Sequence, residues 1–128
     1  MSVRDFVAIA IQSIWTKVAS GVCIMLIVVF SLLPQDERVT VGLPGRDEHF
    51  LAYSLTGLLF GLALSGKRGP LWAATYLAVL ACAMEFLQQW SPGRHPRLSD
   101  AVISALAGLV GAMLAMGLRQ LSVATSRQ

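Results

Sequence analysis

Glu85 is the only charged residue between Leu71 and Trp90, a stretch long enough to cross a bilayer. A charge at membrane depth costs about 3 kcal/mol on insertion scales, so such groups face a bundle interior or a water-filled cavity, where they pair, bind or carry protons. Gln88 and Gln89 follow three and four residues later, at the spacings that share a helix face with Glu85. Upstream, His49 and Tyr53 are four residues apart, again one helical face, with Arg46, Asp47 and Glu48 just before them. Downstream come Arg94 and, after a short gap, Asp100 and Ser104.

Three chemistries fit these residue types. A guanidinium and an imidazole beside a carboxylate suit an anionic or amide-bearing head group, with Arg94 offering a planar fork for phosphate or carboxylate. Glu85 could instead serve a proton-coupled small transporter as the titrating carrier. A hydrolase or transferase acting on a lipid phosphate would use Glu85 or Asp100 as base, His49 as acid and Arg94 against the developing charge. No nucleophile motif accompanies them, so binding is the stronger expectation and enzymatic activity the weaker. Neither an H-x-x-x-H nor an H-E-x-x-H spacing occurs, and no metal or other cofactor is expected.

The elements that must hold these residues are helices in lipid. The chain is 55% hydrophobic and 13% charged, with mean hydropathy +0.66, whereas soluble domains carry about 25% charged residues. The net charge of +3 is small and scattered, with no basic cluster interleaved with aromatics, so nucleic acid is not an expected partner. Charges and turn residues divide the 128 residues, read as one domain, into four apolar spans at about 16–33, 48–65, 71–90 and 100–118. Runs of this length lack the alternation of a barrel strand, and backbone groups in lipid must bond within their own segment, which predicts an all-α bundle of four transmembrane helices.

A further apolar stretch at 6–14 is too short to span and is expected to lie at the interface or to extend the first helix. No small-residue cleavage site follows it, so a removed signal peptide is not expected. With the N-terminus inside, Arg4, Lys17, Lys67, Arg68, Arg119 and Arg127 face the cytoplasm and Arg38, Arg46, Arg94 and Arg97 face out, which favours N-in and C-in. Glu85 then lies roughly 7 to 8 Å below the outer end of its helix. Gly57 and Gly61 form a G-x-x-x-G, and Ser104, Ala107, Gly108 and Gly111 repeat small-residue spacing on the last span, as close helix packing requires. Cys23 and Cys82 read as small mid-span hydrophobes, and Trp15, Trp72 and Trp90 as an interfacial belt.

The ordered set Glu48-His49-Phe50-Leu51-Ala52-Tyr53, Glu85-Phe86-Leu87-Gln88, Pro92-Gly93-Arg94 and Asp100, with hydrophobic spans around it, resembles the VanZ-like family over most of the chain, from about Leu32 through Gly111. The resemblance implies a small bacterial cytoplasmic-membrane protein of about four helices, in a family named for low-level teicoplanin resistance, with no enzymatic activity attached. Membrane lipids, and an envelope lipid, peptidoglycan precursor or glycopeptide at the outer leaflet, are the partners it suggests; oligomerisation stays open. Two departures stand out. Gly45 and Arg46 occupy places where many members have Asp-Lys, and Ser104 offers one hydroxyl where an Asn is common.

Overall fold

The computed structural model describes residues 3–11, 13–37 and 42–125, and every regular element among them is helical. The elements are α1 (Val3–Ala10), α2 (Ile14–Leu32), α3 (Gly45–Ala63), α4 (Gly69–Leu87) and α5 (Leu98–Thr125), with short 3-10 turns at Gln35–Glu37 and Gln88–Trp90. Among the described residues three helical stretches are long and apolar enough to cross a membrane: Ile14–Leu32, Gly69–Trp90 and Leu98–Ser122. α3 matches α2 in length but is not among them; its first turns carry Arg46, Asp47, Glu48 and His49. Arg38 and Arg127, counted above for orientation, and the side chain of Arg4 lie outside what is described.

Local chemistry sets each boundary. α2 begins at Ile14, ahead of the expected position, because the Ser13 hydroxyl accepts the Trp15 N–H at 3.2 Å and the Ser13 carbonyl accepts Lys17 N–H at 3.1 Å. The stretch at 6–14 is therefore broken, with α1 a separate helix resting on α5. α2 stops at Leu33, whose extended backbone (φ −60, ψ 143) is what a following proline imposes. α3 starts at Gly45, three residues before the expected span, with the Pro44 carbonyl taking the Asp47 N–H and both acids in the first turn facing the positive end of the helix. Pro70 opens α4 where its missing N–H is no loss. α5 runs on to Thr125 instead of ending near 118, because Arg119 does not break it: its Nη1 donates to the carbonyls of Gly61 (3.0 Å) and Leu64 (2.9 Å) at the end of α3.

α5 is the central helix, packed most closely on α3 and then on α4, whereas α2 packs mainly on α3. The core between them is built from small residues. Ala73, Ala107 and Ala115 are wholly buried, as is Leu77 against Ala107. A Cβ on Gly57 would collide with the Gly108 carbonyl, one on Gly111 with the Ser54 carbonyl, and one on Gly61 would come within 2.8 Å of the Ala115 methyl. Gly108 leaves room for the Leu77 side chain of α4, 3.0 Å from where a Cβ would stand, while Gly57, Gly61 and Gly111 let the backbones of α3 and α5 touch. That contact replaces the hydrophobic driving force which helices in lipid lack. The large apolar side chains point outward instead: Val22, Met25 and Val29 on α2, Leu71 and Val79 on α4, and Leu106, Met113 and Leu114 on α5 are all exposed. A surface so continuous in hydrocarbon is suited to lipid contact rather than water.

Candidate functional site

α2 and α4 finish, and α3 and α5 begin, at the same end of the bundle. The loop between α4 and α5 closes over that end by bonding to the spent C-terminus of α2. Ser91 Oγ donates to the Leu32 carbonyl (2.9 Å), Gln35 N–H to the Pro92 carbonyl (3.1 Å), and Arg94 through Nε to Leu33 (3.0 Å) and through Nη2 to Phe30 (2.8 Å). Terminal helix carbonyls have no partner of their own, so these donors satisfy groups that the helix itself leaves unpaired. Gly93, at φ 72, makes the turn that aims Arg94 back at α2.

Beneath the loop lies a polar cavity of about 550 Å³. Five of the six leading sequence candidates line it: His49 from α3, Glu85 and Gln88 from the end of α4, Arg94 from the loop and Asp100 from the first turn of α5. Arg46 lines it too and pairs with Asp100, Nε to Oδ1 at 3.5 Å; Ser99 Oγ donates to the same Oδ1 at 3.2 Å. Glu85 is fixed by a bond that residue types cannot reveal, its Oε2 accepting the backbone N–H of Arg97 at 2.9 Å. The charges of Asp100 and Arg94 act on it in opposite senses.

Several expectations need correction. Tyr53 is 2% exposed and belongs to the core cluster with Ile27, Leu77, Ala81 and Ala107; it borders an apolar groove and not the polar cavity. Arg94 is not an open fork, since two of its N–H groups hold α2. Gln88 and Gln89 do not both share Glu85's face, because α4 tightens into a 3-10 turn after Leu87; Gln88 turns inward and Gln89 is exposed, outside the cavity lining. Asp47 is exposed and also outside it, Glu48 borders the apolar groove, and Ser104 is buried one turn below Asp100 within the helix core.

The sequence reading passed over Gln35, His95 and Arg97 as cavity residues. Arg94, His95 and Arg97 crowd one short loop, and that density was the available signal. Three guanidinium groups, two carboxylates and two imidazoles therefore border one space. Gln88 borders it too: the residue is 5% exposed, and among the described residues its buried Nε2 has no hydrogen-bond partner. A buried donor left unpaired costs about 1 to 3 kcal/mol, a strain that an acceptor delivered by a ligand would remove. Among the described residues no three His, Cys, Asp or Glu side chains are grouped to hold a metal ion.

An all-helical bundle with three membrane-length apolar helices and a polar cavity at one end is the class that fold and site define. Set against protein-family models, curated proteins and solved structures, the chain finds no match in any of the three.

Proposed function

We propose that the chain is a four-span membrane protein of VanZ-like type, whose end cavity binds the head group of an envelope lipid, a peptidoglycan precursor or a lipoglycopeptide at the outer leaflet. The observation carrying this reading is the unpartnered Gln88 amide, in a cavity where Arg46, Arg94 and Arg97 outnumber Glu85 and Asp100. A phosphate or carboxylate supplies the acceptors that a buried amide and guanidinium groups call for. Glu85 and Asp100 then act on donors of the same head group, such as hydroxyls or amides.

Four spans follow if α3 crosses alongside its equals: it is as long as α2 and α4, and its first-turn charges sit at the level of the cavity, where polar groups meet the interface. The orientation with the cavity outside draws support from Lys17, Lys67 and Arg68, all exposed at the opposite end of the bundle. In the same orientation Trp15 and Trp72 mark one boundary and Trp90 the other. Glu85 lies in the last turn of α4, close to one face, and α4 is unbroken along its α-helical length, so the transporter reading gains nothing from its position.

Native mass spectrometry of the protein extracted from bacterial membranes tests the binding directly. Anionic lipid or precursor should remain on the wild type and be lost from Gln88→Leu and from Arg46→Ala/Arg97→Ala; equal retention by all three removes the site. Resistance is a separate measurement. Teicoplanin susceptibility that is identical with wild type, with the double arginine variant and with no protein at all ends the glycopeptide version.

A further inference from the structure

A second concavity, of about 360 Å³, lies between α2 and α3, and its walls are of the opposite character. Leu26 and Phe30 on α2 and Leu51 and Leu55 on α3 form its sides, each exposed on the outer surface of the bundle, so the groove opens sideways toward the lipid. It exists because α2 is the least integrated of the long helices, packed chiefly on α3, while α3 turns its small residues away toward α5. Its volume is within the roughly 300 to 1,000 Å³ of small-molecule sites. What distinguishes it from any gap between helices is its upper end. His49 and Arg94 line both this groove and the polar cavity, so the two are neighbouring compartments that meet at one imidazole and one guanidinium.

We propose that the groove and cavity form one bipartite site for a single-tailed anionic amphiphile, its phosphate or carboxylate head in the cavity and its aliphatic chain lying between α2 and α3, admitted sideways from the bilayer. This rests on the binding reading above and narrows it: the ligand is a lipid-like molecule already in the membrane, not a soluble anion. Charge complementarity supports the head within the cavity, where three arginines face two carboxylates around a Gln88 amide that no described residue partners, the third carboxylate of the joint site, Glu48, lying on the groove side. Continuity supports the tail. A head held against His49 and Arg94 has apolar wall directly beneath it along Phe30 and Leu51, whereas a soluble anion would leave that wall unused. The chain also has a reason to prefer this face over α5, whose exposed Leu106 and Met113 border neither cavity.

Photolabelling of the full-length protein in phosphatidylcholine nanodiscs tests the two halves apart. The probe is an alkyl monophosphate with a diazirine in its chain, compared with the alcohol of the same chain; inorganic phosphate serves as a competitor. Labelling of α2 and α3 peptides should exceed that of α5 peptides several-fold with the phosphate probe, fall several-fold in Leu55→Trp, and resist inorganic phosphate. It should also exceed labelling by the alcohol, and Gln88→Leu should abolish that excess. Label spread evenly over α2, α3 and α5 overturns the groove. If inorganic phosphate displaces the probe while Leu55→Trp has no effect, the cavity reading survives and the bipartite site does not. Equal groove labelling by phosphate and alcohol, unchanged in Gln88→Leu, overturns the cavity reading and the bipartite site together.

Discussion

The two ends of this bundle solve the same problem with the same residue and reach opposite results. At each end a helix stops with its last carbonyls unpaired within the helix, and an arginine from elsewhere in the chain donates to them: Arg119 to Gly61 and Leu64 of the α3 terminus, Arg94 to Phe30 and Leu33 of the α2 terminus. Around Arg119 the structure is shut. Gly69 comes so close that a Cβ there would sit 2.8 Å from the Arg119 Nη1 and 2.7 Å from the Leu64 oxygen. Around Arg94 there are two concavities and a buried amide without a partner among the described residues. Capping alone therefore does not make a site. The difference lies in what stands beside each guanidinium, the close backbone of Gly69 and Leu64 at Arg119 and charged and amide side chains around a cavity at Arg94, and the second set leaves space with unspent hydrogen-bonding capacity.

The largest effect should come from the helix contact that fixes both ends at once. Gly111→Leu drives a side chain into the Ser54 carbonyl of α3, a backbone atom that cannot turn aside. Overpacking of this kind costs about 1 to 3 kcal/mol even where side chains can yield, so Gly111→Leu should abolish the folded fraction recovered in detergent, read by size-exclusion and thermal unfolding. Gly117→Leu is the control, since nothing lies within 4 Å of a Cβ there; equal damage from both would mean that α3 and α5 do not meet as described.

The arginines come next. Hydrogen bonds to a charged group contribute about 1.5 to 3 kcal/mol each, and each arginine makes two such bonds to helix carbonyls, so Arg94→Ala and Arg119→Ala should lower the unfolding midpoint by similar amounts. They should part on ligand retention: Arg119→Ala keeps it at a temperature where the fold survives, and Arg94→Ala loses it. Loss in both variants would erase the distinction between the ends.

Gln88→Leu sharpens the contrast in the opposite direction. Replacing a buried, unpaired amide by an apolar side chain removes a desolvation penalty of about 1 to 3 kcal/mol, so the variant should unfold at the same temperature or a higher one while binding falls. A residue whose removal stabilises the protein and disables it is held for function. A lower unfolding midpoint for Gln88→Leu would reveal a structural partner for the amide instead.

How much of this was legible in the sequence depends on the kind of interaction. Small residues at helical spacing in apolar segments have few physical meanings, so Gly57, Gly61, Gly108 and Gly111 marked close helix packing in advance, though not which helices meet: Gly57, Gly61 and Gly111 serve the α3 and α5 contact and Gly108 faces Leu77 of α4. Glu85 announced itself by its isolation in an apolar run. Tyr53 and Gln89 misled because a face assigned by counting assumes an ideal helix ending in the expected place. A 3-10 turn after Leu87 redirects Gln88 and Gln89, and Tyr53, one turn below His49, packs into the core with Ile27 and Leu77 and lines the groove, not the polar cavity. Arg94 and Glu85 were both identified, but their partners were not: a carbonyl acceptor and a backbone donor leave no mark in residue types, and every residue carries both. The groove between α2 and α3 was equally silent, because it arises from how loosely α2 rests on its neighbour.

The smallest expected effect belongs to Arg46. It pairs with Asp100 at 3.5 Å, but its side chain is 58% exposed and that of Asp100 24%. Ion pairs in such surroundings contribute about 0 to 1 kcal/mol and weaken with salt, so Arg46→Ala should leave the unfolding midpoint nearly unchanged, more so as ionic strength rises. Its consequence for binding should be larger than its consequence for stability, since the same guanidinium borders the cavity and Asp100 would remain there without its counter-charge. An anionic head would then meet two carboxylates with one arginine fewer, and Asp100→Asn in the Arg46→Ala background should recover part of the loss. Arg46→Ala binding as well as the wild type, with nothing left for Asp100→Asn to recover, would assign the pair to the surface and leave the cavity's preference for anions to Arg94 and Arg97.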